Sequence, residues 1–146
     1  MITLYETAYL RIKYEPRHRL LDLQWLTEQV PPAEFRQGYW QALLLAEQYQ
    51  TRAWLSDFRT VPVPEPADMR WLADHWYPRY VRLKLDKVAI IKPLNPAGQQ
   101  ALAAVVQLAN EAGHTNRPDA QYFDNPDAAR AWVRQPLTSG QLPPAG

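Results

Sequence analysis

Apolar and polar residues alternate along the first quarter of the chain, and then the period changes. Met1 to Glu6 alternates weakly and predicts an edge strand. Tyr9 to Tyr14 alternates cleanly, with Leu10, Ile12 and Tyr14 on one face and Tyr9, Arg11 and Lys13 on the other. Glu15-Pro16-Arg17-His18-Arg19 is a turn. Leu20 to Trp25 alternates again, so Leu21, Leu23 and Trp25 should join the core while Asp22 and Gln24 face outward. An antiparallel hairpin would bring Asp22 near Arg11 or Lys13.

Helical spacing follows. Pro31-Pro32 opens a helix to about Gln50, with Glu34 in the first turn, where the helix dipole favours an acid. Phe35, Tyr39, Ala42, Ala46 and Tyr49 share one face, and Trp40 and Leu44 fall on the opposite, polar one. Thr51 to Asp57 has few charges and reads as a buried strand. Pro62, Pro64 and Pro66 then block helix until Pro66 serves as a first helical residue. That helix should run to about Tyr77 with Met69, Leu72, Ala73 and Trp76 inward, and Pro78 should end or kink it. Lys87 to Lys92 holds Val-Ala-Ile-Ile without alternation, as a strand covered on both faces does. Asn95-Pro96 caps a helix to Ala112 with Leu102, Val105, Val106, Ala109 and Ala112 inward, and Gly113 sits at the C′ position. Gln121 to Phe123 is a last strand, and Asn125-Pro126-Asp127 starts a last helix.

The order β-β-β-α-β-α-β-α-β-α predicts a single α/β domain over residues 1–134, a mixed sheet opened by an antiparallel hairpin and continued by right-handed crossovers. Pro136, Gly140, Pro143, Pro144 and Gly146 mark residues 135–146 as a flexible tail. If the strand ending at Asp57 is central and parallel, Asp57, Phe58 and Arg59 emerge where open α/β sheets hold ligands.

Composition narrows the function classes. Hydrophobic residues make up 47% of the chain, with six Trp, eight Tyr and three Phe, so core material is plentiful. The net charge of +1 argues against a global nucleic-acid or membrane field. Zero cysteines exclude disulfides and thiol catalysis and fit a cytoplasmic protein. Glu6, Arg11 and Lys13 leave no secretory apolar segment near the start, and no run is long enough to span a membrane.

No catalytic motif is evident. Asp57 with Arg59 is the best polar pair, and the plain reading is a carboxylate held by the turn and its neighbouring Arg. Ser56 lacks the Gly-x-Ser-x-Gly elbow of a hydrolase nucleophile. His18, His75 and His114 are scattered, and Asp68 and His75, two helical turns apart, do not make a metal site. Tyr77 and Tyr80 interleave with Arg79, Arg82, Lys84, Lys87 and Lys92, which snorkelling around a helix-to-strand connection explains without nucleic acid. The five glycines are isolated, so no phosphate-cradling loop exists. The aromatic surplus near the central strand, Trp54, Trp71, Trp76, Tyr77 and Tyr80, suits either a packed core or a small apolar pocket.

The element order, the strand end Trp-Leu-Ser-Asp-Phe-Arg (54–59) and the closing Tyr-Phe-Asp-Asn-Pro-Asp-Ala-Ala-Arg-Ala-Trp-Val (122–133) resemble STAS-type domains, nearest to the SpoIIAA-like branch grouped with CRAL-TRIO folds. The likeness spans about residues 3–133. It implies a mixed sheet packed by helices, with a regulatory or ligand-sensing role and no enzymatic one. In anti-sigma-factor antagonists of this type, a phosphorylatable Ser or Thr follows an Asp at the start of the helix after the central strand. Here Phe58, Arg59 and Thr60 follow Asp57, the helix opens Pro66-Ala67-Asp68, and no Asp-Ser-x-Gly occurs. Ser56 and Thr60 are poor stand-ins for the switch.

The expectation is therefore a non-enzymatic binding domain needing no cofactor or metal. Its ligand or partner surface is Asp57, Phe58, Arg59, Asp68, Trp71 and His75, and Trp40 with Leu44 offers a dimer contact. A protein partner or self-association comes first, a small apolar ligand near the end of the central strand second, and a hydrolase using Asp57 and His75 third.

Overall fold

A computed structural model describes residues 1–113 and 120–136. His114 and the tail from residue 137 onward lie outside the described residues. Strands β1 (Ile2–Glu6), β2 (Leu10–Glu15) and β3 (Leu20–Trp25) lead into helix α1 (Pro32–Gln48), and β4 (Ala53–Asp57) follows. A long helical passage comes next, in four parts: α2 (Pro66–Trp71), a π-helical turn (Leu72–Trp76), α3 (Tyr77–Tyr80) and a 3-10 turn (Val81–Leu83). The chain continues through β5 (Lys87–Ile91), α4 (Pro96–Glu111), β6 (Ala120–Phe123) and α5 (Pro126–Arg134).

The sheet has six strands in the order β1-β2-β3-β4-β5-β6. The β1–β2 and β2–β3 pairs are antiparallel, and every later pair is parallel. The sheet is thus mixed and opened by antiparallel pairs, as the alternation predicts. β4 is interior: Leu55 pairs with Asp22 of β3 on one side and with Ala89 of β5 on the other. All five of its residues are buried.

Alternation on the strands feeds two separate cores. Leu21, Leu23, Trp25, Trp54, Val88 and Ile90 face α1, the π turn, α3 and α4. Leu20, Ala53, Leu55, Ala89 and Ile91 face the other way, where Ala129 and Val133 of α5 cover them. Strand positions that read as outward are therefore inward to a second layer. Asp22 is the clearest departure from expectation: it is 5% exposed, on the α5 side, with Arg130 at 3.5 Å. Lys13 does stand opposite it in the β2–β3 register.

Local chemistry sets the helix ends. Asn95 Oδ1 accepts the N–H of Ala97 at 2.8 Å, and Asn125 Oδ1 accepts those of Asp127 and Ala128. Gly113 takes φ +88°, the left-handed conformation that closes a helix at little steric cost. Helix α4 is rotated from the expected stripe, with Gly98, Ala101, Val105 and Ala109 buried. Pro78 does not end its helix either: Tyr77 stays helical at φ −57° and ψ −38°. A proline ring clashes with the carbonyl four residues earlier, and the wider π turn lies over the segment where that clash would fall. No helix among the described residues is long and apolar enough to cross a membrane.

Candidate functional site

Trp54, Ser56 and Phe58 alternate along β4 and its exit, so all three present to the face where α1, the π turn and α4 pack. There, between layers, is a partly open apolar cavity of about 80 Å³. Leu23, Val88 and Ile90 form its floor with Trp54 and Ser56. Phe35 and Tyr39 of α1 wall one side; Leu72, Trp76, Tyr77 and Tyr80 form the roof; Gly98, Ala101, Leu102 and Val105 of α4 close the far side. Val61, Pro62 and Pro64 make the rim.

The aromatic walls are held by specific contacts. Trp76 stacks on Tyr80 with ring centroids 4.8 Å apart, and Trp54 meets both rings edge-on at 6.0 and 5.6 Å. Trp76 Nε1 donates to the Tyr39 carbonyl oxygen at 2.8 Å, which ties the π turn to α1. Trp54 Nε1 donates to Ser56 Oγ at 2.8 Å. Burial raises the Tyr39 phenol far above its ordinary pKa, and Tyr77 pushes it further in that direction. The phenol stays protonated at any physiological pH. Among the described residues, no charged side chain lines the cavity.

Polar chemistry gathers on the opposite face. Asp57 is 1% exposed. Its Oδ1 accepts the Arg59 backbone N–H at 3.2 Å and Nε at 3.0 Å, and its Oδ2 accepts Nη2 at 2.7 Å. Asp22 lies on this side too. Burial lifts its pKa above the ordinary carboxylate value, Arg130 pulls it down, and the charge of Asp57 raises it again.

The expected surface residues are thus distributed by the sheet. Phe58 lines the cavity, whereas Asp57 and Arg59 hold each other. Asp68, 5% exposed, receives Arg36 Nε at 2.6 Å, and the same guanidinium lies over the Trp71 ring at 5.6 Å. Those three tie α2 to α1 along the roof. His75 is exposed on the π turn. Trp40 is half-buried beneath Arg79, whose guanidinium is 4.7 Å from the ring and pairs with Glu47; Leu44 remains exposed. Thr60 Oγ1 donates to the Trp25 carbonyl oxygen at 2.6 Å.

Of the cavity residues, Trp54, Trp76, Tyr77 and Tyr80 belong to the aromatic surplus visible in the sequence, and Trp71 does not reach it. Phe35, Tyr39 and Val105 read only as inward helical stripes, since periodicity gives the buried face and not the gap left behind it. Among the described residues, no group of three or more His, Cys, Asp or Glu side chains converges as a metal would require. No family model, curated protein or solved structure matches this chain.

Proposed function

We propose that this chain is a non-enzymatic, STAS-like regulatory domain that senses or carries a small apolar ligand in the cavity beside Trp54. The observation that carries the reading is the cavity itself: apolar and aromatic walls, one strand hydroxyl and a partly open rim. Ligand sites have that character, concave and mostly apolar with a few placed polar groups. Its 80 Å³ falls well below the roughly 300–1,000 Å³ of drug-sized pockets, so the guest is compact or the Val61–Pro64 rim yields to admit it. The cysteine-free composition suits a cytoplasmic setting.

Titration of the 15N-labelled protein with toluene tests the reading, with Ala101→Phe as the blocked control. Ala101 is 6% exposed on the cavity wall, so an added ring occupies the space the guest needs. Amide shifts should centre on Ser56, Trp76 and Ala101 in the wild type and vanish in the variant. Absence of those shifts at saturating toluene, or equal shifts in Ala101→Phe, would sink the proposal.

A protein partner is the second reading. Val63 and Leu94 are 45% and 72% exposed, Val63 between two residues of the cavity rim and Leu94 in a loop whose N–H donates to the Arg59 carbonyl. A partner seated there would touch the rim, so ligand occupancy and partner affinity would be coupled. Self-association through Trp40 and Leu44 would leave the cavity free.

A further inference from the structure

Ser56 is a polar residue in an otherwise hydrocarbon floor. It is 5% exposed, and its Oγ accepts the Trp54 indole N–H. A hydroxyl also has one proton to donate, and among the described residues no acceptor takes it. An unmatched donor in an apolar enclosure is costly, and anything bringing an oxygen to that spot relieves the cost. A charged oxygen is disfavoured, because among the described residues no cation lines the cavity and a carboxylate would lose its water without a partner. The surrounding rings meet both edge-on, as Trp54 does with Trp76 and Tyr80, and stacked, as Trp76 does with Tyr80, and either arrangement extends readily to one more flat ring.

We infer that the guest is a neutral, single-ring molecule carrying one hydrogen-bond acceptor, a ketone, ester or ether oxygen, which the Ser56 hydroxyl meets. This rests on the ligand reading of the cavity above. It adds selectivity to that reading: the hydrocarbon skeleton supplies burial, and the oxygen decides which hydrocarbon stays. A site built around a hydrogen bond rejects analogues that lack the matching atom, because its own polar group is then left unpaired.

The test uses three probes of similar size, acetophenone, ethylbenzene and benzoate, with binding constants from NMR titration of the full chain. Acetophenone should bind about tenfold more tightly than ethylbenzene, the factor expected of one buried hydrogen bond, and benzoate should bind most weakly. In Ser56→Ala the acetophenone preference should fall to about one, with ethylbenzene affinity within about threefold of wild type. Ser56→Thr, which keeps the donor in a strand-tolerant side chain, should retain the preference. Equal wild-type binding of acetophenone and ethylbenzene would overturn the role of Ser56 and leave the cavity reading standing, a water then satisfying the hydroxyl. A preference that survives in Ser56→Ala would also overturn it, assigning the donor to a tyrosine. If no probe shifts a cavity amide, both readings fall together.

Discussion

Asp57 and Arg59 form a lopsided pair. The carboxylate side chain is 2% exposed and the guanidinium 38%, so the two partners lose very different amounts when orphaned. Removing the Arg59 side chain leaves a buried charge with the backbone N–H of residue 59 as its remaining partner. Removing the charge of Asp57 leaves an arginine that turns into solvent. Arg59→Ala should therefore cost about 3 kcal/mol in urea unfolding, and Asp57→Asn, which keeps an acceptor for the Arg59 N–H, about 1 kcal/mol. Equal losses would mean the carboxylate is not buried as described. This pair was legible in the sequence, because two residues of opposite charge two apart at a strand exit have little else to hold. Ser56 was legible only in part. Alternation puts it on the same face as Trp54 and Phe58, yet nothing local says that this face leaves space above it.

Helix α1 meets the sheet at Gly38. A Cβ built there would stand 2.8 Å from Leu10 Cδ2 and 2.8 Å from the Trp25 ring. The leucine can move, but Trp25 is 1% exposed and wedged against Phe35 and Tyr39. Gly38→Ala gains about 1 kcal/mol of helix propensity and loses about 1–3 kcal/mol to overpacking. The net should be a destabilisation of about 1 kcal/mol, read as a lower urea midpoint at unchanged slope. A raised midpoint would show that the helix lifts away at little cost. Helix and strand identities were readable from period and capping residues throughout. The π turn was not, because Pro78 signals a break without saying how the chain absorbs it. The absorbed residue matters: Leu72 and Trp76, at the two ends of that turn, both roof the cavity.

Across the whole molecule, the two faces of the sheet are unequally built. Among the described residues, one carries α1, α2, α3 and α4 over the large aromatic core, and the other carries α5. Asp22 reports on the lighter side. Its folded pKa is raised above the unfolded value, chiefly by burial, so the folded state holds the proton more tightly. Its contribution to stability is complete below the ordinary carboxylate pKa and is lost as pH rises through the raised folded value. Asp22→Asn removes that loss and leaves Arg130, whose side chain is 28% exposed, to solvent. The variant should melt higher than wild type at pH 7, with the advantage shrinking as pH falls toward about 4. A variant less stable at pH 7 would mean the Arg130 contact outweighs burial. Sequence period could not have placed Asp22, since polar-outward on a strand means solvent only when no later helix returns to cover it.

The chain lays its strands down in spatial order, each beside the one before. A nascent polypeptide leaving the ribosome can therefore add β2 to β1, β3 to β2 and so on without waiting for a distant segment. The cover of the second face comes late: among the described residues it is α5. Until Pro126–Arg134 is synthesised, Leu20, Leu55 and Ile91 stay wet, and every truncation product that stops short of it carries a bare greasy stripe. Among the described residues Pro126–Arg134 is the helix over that stripe, so a chain cut before it should show apolar surface of the kind chaperones and proteases recognise.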